Sequence, residues 1–584
     1  DLVTVNPASS SRVVGARPIR HDGDRLIYGA AGPPKDSPMG AGINYGTAVR
    51  VPSGWTDVPF GLSYQGKFTE PVFAAVPMLA TAFAADDETV LWVSALPLAP
   101  GAPPEEILGL YRQLPGTAPE LIAQLTDEQA LPLFFFNFTD LSSDGSRAVF
   151  VSARHYLPSD AGRTQGTSVY AWDGGTLEQV DVDNGGTLLS TCGSWVPKEN
   201  GMSVDGNRVF VTVLPECGNL EKVYLRDIEA GTTTEISASL CARVDCNAPA
   251  NVKFVGATPD GKFAYLTTTQ QLLDADEDPN RDLYRYDVDA GELILLSTAP
   301  GVVEVNDQRV FPSDAGERVY FKALQEVGPG EVLPRFFMAD GNGTTLVAEA
   351  SVGGWFGTPE VGLSKDGSKA VFIAEDQVLE GDTDSQPDAY LYDAVADSLT
   401  RISTGPAGGN GEQGVRIEPV APVNRHEFEF GNTRPYYAIY TTGDRVFFQT
   451  NESLVAEDAN GVADVYEWWG GEARLITPGQ QPLSSEFAGA SRDGRTVIFA
   501  TNASLVGRDA DGQSRDLYAA RLGGGFAEPP PPPPGCDNAT CPLPSSERIG
   551  RSTPPSMGAP QGKGKGKSAA LSVVSVAPKA KKGA

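Results

Sequence analysis

Sustained helical periodicity is missing from this chain. Apolar residues recur at helix spacing nowhere for long in its 584 residues; Glu105 to Tyr111 comes nearest and is short. No apolar run reaches the roughly twenty residues a membrane-spanning helix needs; the longest late patch is LSVVSV, from Leu571. Histidine is scarce: His21, His155 and His426 lie far apart and keep no company of zinc-ligand spacing with cysteine. The G-x-S-x-G signature of serine hydrolases is also missing. GLSYQG, GMSVDG, GLSKDG and GASRDG all lack the glycine two residues after serine. No initiating methionine precedes Asp1 and no signal peptide is visible. The expectation is a mature, exported protein, extracellular or in the cell envelope, whose export signal has been removed.

Cysteine is limited to six residues, in local pairs. An even, paired count suits disulfides in an oxidising compartment. The expected bridges are Cys241–Cys246, Cys536–Cys541 and Cys192–Cys217; other connectivities remain open. Positive charge is in deficit: 45 Lys and Arg against 75 Asp and Glu give a net charge of −30. The imbalance is uneven. From Glu528 to Ala584 eight Lys or Arg face three acids, a balance of +5, so the remainder carries −35. Phosphate would be repelled by such a body, which excludes nucleic acid as its partner. The basic tail is expected to meet an anionic envelope surface, and the body to be monomeric.

What is abundant is turn-forming residues, with 65 Gly and 46 Pro spread through the chain. They punctuate a repeat. Its clearest copy runs from Ala257 to Thr298: a turn at Asp260-Gly261, the strand FAYLTTT, an acidic loop DADEDPNRD, the strand LYRYDV, a second turn DAGE and the strand LILLST. With KFVGA ahead of Asp260 this makes four strands. Asp-Gly joins antiparallel strands readily because glycine accepts positive φ. The opening turn recurs at Asp22-Gly23, Asp86-Asp87, Asp144-Gly145, Asp205-Gly206, near Asp314, at Asp366-Gly367, Gly443-Asp444 and Asp493-Gly494. Units of about fifty residues with strands throughout predict an all-β, single β-propeller of eight to nine four-stranded blades over residues 1–527. The nine units form either one ring of nine blades or eight blades plus an atypical unit near Asp86. The last unit lacks a final strand, and Asp1–Val5 is expected to pair beside Asp516–Leu522 and close the ring. Residues 528–584 are expected to be a disordered Pro-rich, basic tail with a small Cys-x4-Cys loop. Between Gly405 and Thr433 lies a longer insertion. Its GNGEQG matches a dinucleotide fingerprint without the strand–turn–helix context that motif needs.

Chemistry recurs in the loop before the tyrosine strand. Asp276, Asp278 and Asp282 stand at offsets 0, 2 and 6. Asp382, Asp384 and Asp388 repeat the pattern, as do Asp458, Asn460 and Asp464; Asp509, Asp511 and Asp516 follow at 0, 2 and 7. Alternating oxygen ligands suit a hard cation such as Ca²⁺. The alternative is purely structural: Asp and Asn build turns on their own backbone, and the last Asp can anchor the aromatic strand.

The unit S-x-D-G-x-x-V-x-F … D-x-D/N … D-[LVA]-Y … L-x-x-[IL]-[ST] resembles the TolB-type, WD-repeat-like propeller repeat, and is similar to exported actinobacterial propeller proteins with a Pro-rich tail like PPPPPPGCDNATC. The resemblance spans about Asp22 to Leu522. It implies a propeller, and for TolB itself a periplasmic scaffold that binds protein partners. The resulting expectation is a binding or scaffold module for protein or glycan. The alternative is an enzyme, a lyase or hydrolase, with its site in the central channel. Aromatic loops bearing Trp195, Trp355, Trp468 and Trp469 on one face would favour binding.

Overall fold

The computed structural model of the chain describes residues 20–524, apart from 22–23, 32–42, 60–77, 126–138, 353–360, 406–414, 417–444, 510–514 and a few shorter gaps. Nine antiparallel sheets follow one another along it. Eight have four strands and the last has three. They are numbered sheets 1 to 9 here, spanning residues 20–59, 78–124, 139–179, 194–235, 252–295, 302–348, 361–401, 415–475 and 485–521. Within each sheet the strand order is the chain order, so the first and third connections lie at one end and the second at the other. The unit near Asp86 is an ordinary four-stranded sheet. Among the described residues sheet 9 does lack a fourth strand; the expected partner, Asp1–Val5, lies outside them.

Sheet formation follows the alternation of the sequence. In sheet 5 the second strand, Phe263–Thr268, pairs with Asp282–Asp287, placing Leu266 opposite Tyr284. In four other sheets the facing pair is phenylalanine against tyrosine: Phe150 and Tyr170, Phe372 and Tyr390, Phe448 and Tyr466, Phe499 and Tyr518. Their rings stack at 5.5 to 5.8 Å. Each such pair contributes about 0.5–1.5 kcal/mol beyond its buried area. These side chains are buried between sheets, so the core consists of a series of inter-sheet layers.

From sheet 2 to sheet 9 each sheet shares a buried cluster with the next. Sheet 1 meets sheet 2 through Arg25, whose guanidinium lies 2.9 Å from Glu88, and the last sheet packs on the first. Leu26, Ala48 and Trp55 of sheet 1 share a buried cluster with Ala488, Ile498, Ala500, Leu517 and Ala519 of sheet 9. The nine sheets therefore form a closed propeller.

The turn that opens each unit explains why Ser/Thr-x-Asp-Gly repeats. In sheet 3 the Ser142 hydroxyl donates to Asp144 at 2.6 Å, Asp144 accepts from the Ser146 amide at 3.0 Å, and Ser142 Oγ accepts from the Arg147 amide at 2.9 Å. Neighbouring turns are then joined backbone to backbone. Ala85 N donates to Ser143 O, Ser143 N to Val204 O, and Val204 N to Pro259 O, at 2.6, 2.6 and 2.7 Å. Gly367 shows what the glycine does. Its φ is +68°, and an added Cβ would lie 2.9 Å from the Cβ atoms of Ser313 and Arg318 in the preceding sheet.

Among the described residues an arginine crosses eight of the nine junctions as well. Arg112, Arg147, Arg208 and Arg285 donate to the carbonyls of Gly145, Gly206, Gly261 and Gly316 at 2.9, 3.2, 3.4 and 3.1 Å. Arg25, Arg318 and Arg445 make the matching reach to Asp86, Asp366 and Gly494. Arg521 closes the circle on the Asp24 carboxylate at 2.9 Å. The corresponding turn of sheet 8, at Gly443-Asp444, lies outside the described residues.

Two expectations are refined. Part of the insertion before Gly443 belongs to the fold: Val415–Arg416 pairs with Gln449 and Thr450 as the first strand of sheet 8. Val415 is β-branched, a type enriched in strands, although the run is too short to be recognised as a strand in the sequence. The rest of the insertion from residue 406 on, including all of GNGEQG, lies outside the described residues. The disulfides Cys192–Cys217 and Cys241–Cys246 are formed; Cys536 and Cys541 lie outside the described residues.

Candidate functional site

The acidic loops lie at the opposite end of the sheets from the opening turns, between the second and third strands. In each, the first Asp sits beneath the buried tyrosine of the third strand. The hydroxyls of Tyr284, Tyr390, Tyr466 and Tyr518 donate to Asp276, Asp382, Asp458 and Asp509. The last Asp starts the third strand and accepts from a hydroxyl on the connection after the fourth. Ser297 donates to Asp282, Ser403 to Asp388, and Thr477 to Asp464. The repeated carboxylates therefore do tie strands together, and the sequence spacing places each pair in one small volume. Asp384 and Asp511 lie outside the described residues.

Sheet 5 brings three carboxylates together. One ligand oxygen from each of Asp276, Asp278 and Asp282 lies within 4.8 Å of the others. Asp276 and Asp282 are buried and Asp278 is exposed. Asp278 is fixed by the Asn280 amide, which donates to it at 2.8 Å. Burial pushes the Asp282 carboxyl up to about 7; the Ser297 hydroxyl opposes the shift, and Asp276, Asp278 and Glu304 add to it. Burial likewise pushes Asp276 up. Three oxygens converging on one point, with Asp278 open to solvent, can take a hard cation, whose charge would relieve their mutual repulsion.

The other loops differ in what stands beside the carboxylates. In sheet 7, Arg401 Nη1 lies 3.3 Å from Asp388 and 3.7 Å from Asp382. In sheet 8, the Asn460 side-chain amide donates to Asp464 at 2.6 Å, and Asp458 Oδ1 is buried without a hydrogen-bond partner. Burial pushes the Asp464 carboxyl up. Asp509 Oδ1 in sheet 9 is likewise without a hydrogen bond.

Sheet 3 holds a fifth loop of this kind that the carboxylate spacing does not reveal. Tyr170 donates to Asp160 at 2.5 Å, and Ser168 stands where the other loops carry their last Asp. Arg163 fills the centre. Its Nε donates to Ser168 Oγ at 2.5 Å and its guanidinium pairs with buried Asp181. The recoverable signal was the tyrosine strand itself, SVYAWD, preceded by an Asp ten residues before the tyrosine.

Next to the sheet 5 site, the chain between sheets 4 and 5 carries the Cys241–Cys246 bridge. At its tip Val244 is fully exposed, and Leu240 beside the bridge is 61% exposed. In sheet 6 the second and third strands, Val319–Gly328 and Glu331–Asp340, run on as a long hairpin in place of an acidic loop, exposing Leu324, Val327 and Val332. Of the tryptophans singled out in the sequence, Trp195 and Trp468 are half-buried, and Trp355 lies outside the described residues. Trp469 is exposed, with the guanidinium groups of Arg445 and Arg474 at 4.1 and 4.8 Å from its ring. His155 is the one histidine whose surroundings are described. Its Nδ1 lies 2.9 Å from the Asp160 carbonyl oxygen and 3.2 Å from its carboxylate.

No protein-family model matches the chain, and no curated protein matches it. Solved structures similar to it include a prolyl endopeptidase, 11% identical over 74% of this chain, with a TM-score of 0.33. The chain spans 55% of that protein's length. The β-propeller domain of the Trilobed protease from Pyrococcus furiosus is 12% identical over 69% of this chain and 99% of its own, with a TM-score of 0.30. A putative TolB from Agrobacterium tumefaciens is 16% identical over 46% of this chain and 79% of its own, with a TM-score of 0.25. The propeller assignment stands on the nine sheets and their closure. No helix among the described residues is long and apolar enough to cross a membrane.

Proposed function

We propose that this is an exported propeller that binds a protein or glycan of the cell envelope and is stabilised by Ca²⁺ in its acidic loops. The observation carrying this reading is the convergence of Asp276, Asp278 and Asp282 beside a disulfide-closed loop that holds Val244 fully in solvent. An apolar side chain so exposed on a cross-linked loop loses little conformational freedom when a partner covers it. The bridge itself fits an oxidising compartment. The basic segment 528–584 adds attraction to an anionic envelope surface, while the body acts as a monomeric scaffold.

Surface plasmon resonance of the full chain against envelope protein and envelope polysaccharide fractions, with and without Ca²⁺, tests the reading. Saturable binding to one fraction, lost in Leu240→Asp/Val244→Asp, is expected. Binding to neither fraction, or binding untouched by that double substitution, would overturn it.

A further inference from the structure

Sheet 5 differs from the other acidic-loop sheets in what holds the loop from outside. The segment leading into the carboxylates, residues 269–274, is fastened to the chain around the Cys241–Cys246 bridge. Ser239 Oγ donates to Gln271 O and Leu240 N to Leu272 O, both at 2.8 Å. The Ala242 and Arg243 amides both donate to the Asp274 carboxylate, at 2.7 and 3.2 Å. Asn247 completes the clamp: its side-chain amide donates to Thr269 O at 2.6 Å, and its carbonyl accepts from Gln271 N at 2.9 Å. At the far end, Arg281 O accepts from Val305 N at 3.0 Å, and Arg281 Nε donates to Glu304 at 2.9 Å. Only the few residues that carry Asp276 and Asp278 span the gap between these anchors.

A second observation points to a ligand. Asp282 is 7% exposed, and the one hydrogen bond its carboxylate accepts comes from Ser297, to Oδ1. One oxygen of this carboxylate lies in the cluster of three. No arginine takes the place that Arg163 and Arg401 hold in sheets 3 and 7. Arg243 instead donates to the Asp274 carbonyl and pairs with Asp245 at 3.1 Å. Arg243 acts on Asp276 only through space, opposing the burial that raises it. Carboxylates held together with no cation in contact repel one another, and unless clamped they would swing apart. A cation binds more tightly where that convergence is set in advance, because the ordering cost is met before binding.

We propose that the disulfide-closed loop Cys241–Cys246 is the positioning element of a divalent-cation site at Asp276, Asp278 and Asp282. Binding at sheet 5 then depends on a cross-link that supplies no ligand. This rests on the calcium reading above and adds to it the control of the site. Opening the bridge frees residues 239–250, loosens 269–274, and lets the carboxylates separate.

Isothermal titration calorimetry of the full chain with CaCl₂ tests this. Asp282→Asn identifies the share of the heat that belongs to sheet 5. For that share, Cys241→Ser/Cys246→Ser is expected to weaken binding about tenfold or more, and Asn247→Ala several-fold, with the circular dichroism spectrum unchanged. Native affinity in a folded double variant would overturn the inference and leave the calcium reading standing. A wild-type chain that takes up no Ca²⁺ would overturn both. Should the cysteine variant fail to fold, Asn247→Ala decides, and an unchanged affinity there overturns the proposal.

Discussion

Sheets 3 and 5 bury the same arrangement with opposite electrostatics. Each places an Asp under the tyrosine of its third strand, Asp160 under Tyr170 and Asp276 under Tyr284. Burial pulls the Asp160 carboxyl upward, but the Tyr170 hydroxyl, the Tyr156 and Leu157 amides and His155 hold it below its usual range. At Asp276 burial prevails and the carboxyl is raised. The two strand-end positions are exchanged as well. Tyr170 faces Gln179 and Tyr284 faces Leu295, so Ser168 and Asp181 in one sheet stand where Asp282 and Ser297 stand in the other. Into that space sheet 3 inserts Arg163, while sheet 5 adds a further carboxylate, Asp278. One scaffold position is thus completed by the chain's own cation in sheet 3; in the function proposed above, sheet 5 takes an external one.

The comparison breaks most visibly at Arg163. Its side chain and that of Asp181 are 2% and 0% exposed, so Arg163→Ala strands a buried carboxylate. A loss of about 3–5 kcal/mol is expected in urea unfolding; a loss under about 1 kcal/mol would mean that sheet 3 does not depend on its internal cation. Next in size is the external cation. Chelated protein given Ca²⁺ at a hundred times its dissociation constant should gain about 2.7 kcal/mol per site, read as a higher melting temperature. Asp282→Asn should remove the sheet 5 share, and Arg163→Ala should leave that share intact.

On the opposite end of the sheets, Gly367→Ala combines positive φ with contact against Ser313 and Arg318 and should cost about 1–3 kcal/mol. Gly174→Ala, at φ +57° with open space around it, should cost less. The smallest effect is acid sensitivity of the turns. Hydrogen bonds from Ser142 and Ser146 hold Asp144 below its usual range. At Asp366 and Asp493 burial pulls upward but the serine and backbone donors prevail. Folded-state values below the unfolded ones mean that this stability is complete above the ordinary carboxylate pKa of 3.8 and is lost as pH falls through the lower, folded values. Stability measured from pH 6 to pH 2 should fall in that acid range, and Asp366→Asn should flatten the slope slightly.

The blades were legible in the sequence because their turns solve a local problem. Ser or Thr, Asp and Gly at fixed offsets satisfy one another within six residues, and any copy can be recognised by itself. The tyrosine strands were legible for the same reason. What could not be read is whatever depends on the next sheet. The arginines at 112, 147, 208 and 285 look like surface charges until a neighbouring turn supplies their carbonyl. The role of Arg163 was hidden because Ser168 and Asp181 exchange the usual order, which defeats a carboxylate count. Nor does the spacing of Cys241 and Cys246 announce that their loop fastens residues 269–274, since that contact forms only when two sheets are adjacent.

The junction of sheet 9 with sheet 1 has a consequence for assembly. Arg521 and Asp24 are 497 residues apart in the chain, yet every other junction joins sheets that are consecutive in sequence. Eight junctions can therefore form as the chain lengthens, each at a modest loop-closure cost. The ninth must wait for the whole chain, and until then the two end faces, with Trp55 and Leu26 on one and Ile498 and Leu517 on the other, stay open to solvent. By sequence separation the closing contact has the largest loop-closure cost of the nine, and a chain halted before it would present both apolar end faces to a second copy.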